Sequence, residues 1–176
     1  MKKRFVSILF ISCIFSQSVI DTLSVTIYPE YYYQGIMVEY KFDTDSSNQH
    51  QFILPTEIDS VLYLVSNNDE LFEEVLKIED QPIASIERDG EHKIYLFLNR
   101  YSQVPGPRDF SYKFESLSDV KTLMIAFQLP FASEEFIASV NDINLEEIRD
   151  QNGLNFLQGL IAVSYTHLTL PTNREV

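Results

Sequence analysis

Thr22-Leu23-Ser24-Val25-Thr26-Ile27-Tyr28 alternates apolar and hydroxylated side chains with a period of two, and it stops at Pro29. Residues two apart on a strand share a face, so Leu23, Val25 and Ile27 form a core side and Thr22, Ser24 and Thr26 a wetter one. Pro29 has no N–H to give and ends the ladder. The same period recurs in Ile36–Phe42, where Ile36, Val38, Tyr40 and Phe42 oppose Glu39 and Lys41. It recurs in Lys121–Leu129, with Leu123, Ile125, Phe127 and Leu129 on one side. Gln51–Leu54, Val75–Glu79, Ile83–Arg88, His92–Leu98, Phe110–Glu115, Phe136–Val140 and Leu154–Leu157 read as further short strands. Ser60–Ser66 is apolar on both faces, which predicts a central strand under a second layer. Asp89-Gly90 predicts a hairpin between the strands around it, because a primed turn needs positive φ. Asn67–Glu73 reads as a polar connection with room for one helical turn. Leu145–Arg149 reads as a short helix or turn, and Asn152-Gly153 as the turn into Leu154–Leu157.

Short strands separated by turn signals roughly every 8–12 residues predict an all-β chain folded as a two-sheet antiparallel β-sandwich. A barrel gives much the same signature and is the alternative. Over most of Thr22–Leu157 the order of strands resembles the immunoglobulin- and fibronectin-like modules of exported bacterial proteins. The chain has no Trp, and its one Cys lies near the N-terminus, so the Cys pair and core Trp of true immunoglobulin domains are missing. The resemblance implies a fold and carries no functional residue.

The two ends have a different character from the middle. Met1-Lys2-Lys3-Arg4 precedes an apolar run from Phe5 to Phe15, which closes on Ser16-Gln17-Ser18. Basic start, short apolar stretch and small-residue exit are the parts of a secretory signal peptide, here residues 1–18. The run is shorter than the roughly 20 apolar residues a spanning helix needs. Cys13 offers an alternative, lipidation as in a bacterial lipoprotein, although Phe10 stands where Leu is usual and the apolar run continues past the Cys. Export leaves a mature chain without cysteine, whose core rests on packing alone.

At the other end, Val163-Ser164-Tyr165-Thr166-His167-Leu168-Thr169-Leu170-Pro171-Thr172 is similar to a translated transposase-library sequencing adapter. The codons GTC TCT TAT ACA CAT CTG ACG CTG CCG ACG encode it without a mismatch. The adapter's next base, A, opens an Asn codon, an index of eight bases completes Asn173 and encodes Arg174 and Glu175, and the adapter's GTG TAG gives Val176 and a stop. Residues 163–176 are therefore expected to be an artefact rather than natural sequence. The domain is expected to span residues 19–162 and to be truncated, lacking a C-terminal strand, one that would pair with Leu154–Leu157. Deleting residues 163–176 is expected to change stability by less than about 1 kcal/mol, the scale of surface changes without a specific mechanism. Chemical denaturation of the two lengths checks this, and a much larger loss would show that the tail has taken a packing role.

Charge narrows the partners. The chain has 26 Asp and Glu against 13 Lys and Arg, a net charge of −13. Such a surface repels phosphate backbones and anionic lipid, which argues against nucleic acid as a partner. Residues 19–162 contain no membrane-spanning stretch. Protein partners or cell-surface components remain.

Catalytic signals are sparse. Once His167 is set aside with the tail, His50 and His92 are the histidines, and neither has a second soft ligand nearby in sequence. There is no serine elbow, no thiol nucleophile after export and no glycine-rich phosphate loop. No catalytic residue, cofactor or enzyme activity is expected. Glu134/Glu135 and Glu146/Glu147 are the carboxylate pairs a glycosidase would need, but adjacent acids usually form a solvated face. Asp43, Asp45 and Asn48 bring three oxygen donors into one loop, a calcium candidate. An EF-hand loop would need Gly and Glu where Asn48 and Leu54 stand, so that motif fails and a plain hairpin loop is preferred. Tyr31, Tyr32 and Tyr33 cannot all point inward, which makes them binding candidates for a sugar ring or a protein partner. The leading expectation is an exported, non-catalytic binding or structural module, part of a longer exported or surface-anchored protein. A carbohydrate-binding module is the alternative, and a carboxylate-based hydrolase the third.

Overall fold

The computed structural model describes residues 19–29, 35–44, 49–56, 58–67, 70–78, 82–98, 109–129, 136–138, 140, 143–162 and 167–175. For Asn67, Lys77, Ile78 and residues 109–111, 136–137 and 167–175 it describes the backbone. Residues 1–18, including Cys13, lie outside this set, as do Tyr31, Tyr32, Tyr33, Asp45, Asn48, Glu134 and Glu135.

Among the described residues there are fourteen strands and no helix. They are β1 Val19–Pro29, β2 Ile36–Thr44, β3 His50–Ile53, β4 Ser60–Asn67, β5 Glu70–Glu74, β6 Lys77–Ile78 and β7 Ile83–Ile86. The rest are β8 Gly90–Leu98, β9 Asp109–Ser116, β10 Asp119–Gln128, β11 Phe136–Ile137, β12 Glu146–Arg149, β13 Asn155–Ala162 and β14 His167–Glu175. The larger sheet runs β12-β13-β10-β1-β2-β8-β4-β5, and the smaller one β11-β14-β9-β3-β7-β6. The expected all-β, two-sheet sandwich is what forms, and the sheets do not close into a barrel. One pairing departs from the antiparallel rule. β1 runs parallel to β10, with Leu23 beside Leu123, Val25 beside Ile125 and Ile27 beside Phe127.

The alternation at β1 becomes burial as expected. Leu23, Val25 and Ile27 are fully buried, as are Val38, Tyr40, Ile94, Leu96 and Phe127. The smaller sheet closes the core with Phe52, Ala84, Ile86, Tyr112 and Phe114. An aromatic cluster stitches the two layers together: Tyr40 lies 5.7 Å from Phe52 and 5.5 Å, edge-on, from Phe114. The Tyr40 and Tyr112 hydroxyls hydrogen-bond each other inside it, so neither buried hydroxyl oxygen is left without a partner.

Four local expectations are corrected. Ser60–Ser66 is not central: as β4 it is the second strand from an edge. Its outward Leu62 and Leu64 pair across the sheet with Tyr95 and Lys93. Their apolar character comes from cross-strand packing rather than from a second layer. Asp89-Gly90 does not close a hairpin, because β7 and β8 belong to different sheets and the chain crosses between layers there. Leu145–Arg149 is the edge strand β12 rather than a helix or turn. The Asp150 carboxylate accepts the N–H of Asn152 at 2.9 Å and of Leu154 at 2.7 Å, which fastens the turn, and Gly153 takes φ +84°. Finally, β13 does not wait for a missing partner, since β10 and β12 flank it on both sides.

Residues 167–175 form β14, antiparallel to β9, with the register slipping between Leu170 and Asn173. Pro171 sits at the slip, where a residue without an N–H breaks a ladder most cheaply.

Candidate interaction site

Of the expected polar connection Asn67–Glu73, Glu70–Glu73 instead lies on a strand. β5 pairs antiparallel with β4 from Asn67–Glu70 to Tyr63–Glu74. β5 ends the larger sheet, and no described strand lies on its outer side. One row of its backbone donors and acceptors therefore meets no strand partner among the described residues.

This edge also displays apolar surface. Leu71 is 56 % exposed, Phe72 45 % and the adjoining Val75 93 %. By strand alternation Phe72 shares the inward face with Glu74, while Leu71 shares the outward face with Glu73. Beneath the strand, between the two sheets, opens a cleft of about 550 Å³. Ile58, Val61 and Leu76 supply apolar wall and pack on the core, while Asp59, Glu73 and Glu74 place carboxylates on the lining. Glu74 is ion-paired with Arg88 at the β7–β8 crossing.

Behind β4 lies a buried polar network. His92, on β8, is fully buried; its Nδ1 lies 2.9 Å from the Tyr63 hydroxyl, and its Nε2 2.9 Å from Thr44 Oγ1 and 3.0 Å from the Arg88 carbonyl. Thr44 donates its one proton to the Arg88 carbonyl at 2.6 Å. Nε2 must then donate, and Nδ1 accepts from Tyr63, which fixes a neutral imidazole. Burial pushes the Tyr63 hydroxyl up to about 12, so it keeps its proton to give. His50 and His92, far apart in sequence, both come close to Phe42, at 6.3 and 5.1 Å between ring centroids. Among the described residues no three of His, Cys, Asp and Glu gather as a metal-holding group.

Burial holds His92 below the ordinary histidine value, against the Arg88 carbonyl contact, which favours the charged form. The unfolded chain takes up this proton near its ordinary pKa of about 6.5, before the folded chain does. The neutral network therefore stabilises the fold fully above that pH and progressively less below it. The melting temperature is expected to fall between pH 7 and pH 5, and His92→Gln, which keeps a donor and an acceptor, to flatten that slope. An equal slope in the variant would show that His92 does not carry it.

The remaining sequence candidates are dispersed. Asp43 is exposed near the end of β2, opposite Glu91, while Asp45 and Asn48 lie outside the described residues. Glu146 and Glu147 are consecutive on β12, so they point to opposite faces of a strand and cannot flank one glycosidic bond. A second tyrosine arrangement was not anticipated. On the outer face of the larger sheet, Tyr28 and Tyr95 each donate to one oxygen of Glu39, at 2.8 and 2.9 Å. Burial and the Glu39 charge raise both phenols well above their usual range, so both stay protonated. With both carboxylate oxygens already occupied, this row reads as a cross-strand clasp. The chain matches no protein-family model and no curated protein.

Proposed function

We propose that the chain is an exported, non-catalytic β-sandwich module that holds a partner protein or cell-surface component, with the β5 edge and the cleft beneath it as the contact. The single observation that carries this reading is the coincidence of a strand edge that meets no partner among the described residues with Leu71, Phe72 and Val75 in the open. Leu71 and Phe72 present apolar surface on the two faces of this edge strand, and Val75 adds to it on the wall of the groove. Burying one Leu or Phe side chain contributes about 1.5–3 kcal/mol, so even a short partner segment gains a useful fraction of micromolar affinity here. The carbonyl and amide row of β5 adds orientation, as in strand-addition recognition generally. The signal-like N-terminus and the acidic composition support a site of action outside the cytoplasm.

The test is selection from a phage-displayed library of random linear peptides on immobilised protein, run beside Phe72→Asp. Enriched peptides that bind the parent and lose the variant are expected. No enrichment above an uncoated surface, or peptides that ignore the substitution, would remove this site as the working surface.

A further inference from the structure

We infer that the β5 edge takes an extended, cationic segment of a partner protein, added as an antiparallel strand with the local pattern cation-cation-apolar-apolar-cation. This rests on the binding role proposed above and specifies its partner.

The strand reads Glu70-Leu71-Phe72-Glu73-Glu74. In antiparallel pairing each partner residue stands opposite one residue of β5, with side chains on the same face and about 4.5–5.5 Å between Cβ atoms. A partner read from its own N-terminus therefore meets Glu74, Glu73, Phe72, Leu71 and Glu70 in turn. Opposite charge belongs at the first, second and fifth of these positions, and apolar side chains at the third and fourth. Glu73 and Glu74 also line the cleft together with Asp59, and Arg88 is ion-paired with Glu74. The rim is thus acidic, and the apolar pair Leu71–Phe72 is bracketed by acid on both sides.

The same register argument disfavours a second copy of this chain. The two-fold antiparallel arrangement that stacks Phe72 on its copy would set Glu70 against Glu74 twice. Like charges directly opposite on a sheet destabilise the pair. The chain's overall net charge of −13 adds to that repulsion. A basic strand meets neither obstacle, and it supplies the backbone groups that the edge lacks.

The probe is a fluorescein-labelled nonapeptide, Lys-Lys-Val-Val-Lys flanked by two threonines on each side, followed by anisotropy at about 50 mM salt. Three comparisons decide. The charge-inverted peptide, with glutamates for lysines, is expected to bind at least tenfold more weakly. Glu70→Lys/Glu73→Lys, both at exposed positions, is expected to reverse the preference while melting within a few degrees of the parent. A peptide N-methylated at alternate residues is expected to lose at least tenfold, because it cannot complete the strand ladder.

Binding that survives N-methylation would reduce the contact to charge attraction and overturn strand addition. Equal affinity for both peptides, no binding of either, or a dimer in sedimentation that Glu70→Lys/Glu73→Lys abolishes would overturn the cationic partner. Failure here is separable from failure of the binding role. Library peptides that need Phe72 but carry no cationic pattern would leave the site standing and remove only this partner.

Discussion

Phe52→Ala is expected to cost about 3–5 kcal/mol, the range for truncating a buried aromatic ring. Phe52 has no exposed surface and sits in the aromatic cluster between the layers, 5.7 Å from Tyr40, 5.2 Å from Phe42 and 6.4 Å from Phe114. It lies on β3, a strand of four residues that joins β7 to β9 across the smaller sheet. Short strands have few side chains with which to hold position, so the ring anchors β3 to the core of the larger sheet. The neighbours around it are rings wedged against one another, and they cannot collapse into the vacated space without leaving their rotamers. With domain stabilities of roughly 5–15 kcal/mol, such a loss brings the chain near its folding threshold. Urea denaturation of the parent and the variant measures it directly. A loss below about 1 kcal/mol would mean that the ring does not bridge the two sheets.

The period of two in β1, β2 and β10 made their faces legible in the sequence, because alternation is a backbone property that tertiary contacts seldom reverse. Pairing partners were not legible. Nothing in Leu23, Val25 and Ile27 says that they stand beside Leu123, Ile125 and Phe127 on a parallel neighbour, since register is set by the whole sheet. The edge strand β5 escaped notice for a related reason. Three of its five residues are Glu, and composition alone reads that as a loop, although Leu71 and Phe72 already break the polar run. The clasp of Tyr28 and Tyr95 on Glu39, and the approach of His50 and His92 to Phe42, join residues from separate strands. Spacing along the chain contains neither. The aromatic and calcium-like runs at Tyr31–Tyr33 and Asp43–Asn48 drew attention because they are contiguous, whereas the interaction surface comes from β4, β5 and the start of the smaller sheet.

Asp89-Gly90 has the composition of a hairpin turn but serves the crossing between the layers, and Gly90→Ala is expected to cost at least about 2 kcal/mol. Gly90 has φ +127°, a backbone region that side chains with a Cβ rarely enter. A Cβ built there would sit 2.7 Å from the carbonyl oxygen of Ser66. That oxygen belongs to β4, which is held by β8 on one side and β5 on the other, so the obstacle is backbone and cannot swing aside. Gly153 provides the internal comparison. It also has positive φ, +84°, but its added Cβ would meet the end of the flexible Arg149 side chain at 3.2 Å. Gly153→Ala is therefore expected to cost about 1 kcal/mol, the conformational penalty with little clash. Thermal melts should rank Gly90→Ala below Gly153→Ala, with Asp89→Ala, at an exposed position, close to the parent. Because Ser66 pairs with Leu71, the clash also pushes on the β4–β5 hairpin, and the variant should lose affinity for the cationic peptide along with stability. If Gly90→Ala melts with the parent, the chain does not pass this close to Ser66 as it crosses between the layers, and the hairpin would owe nothing to that crossing.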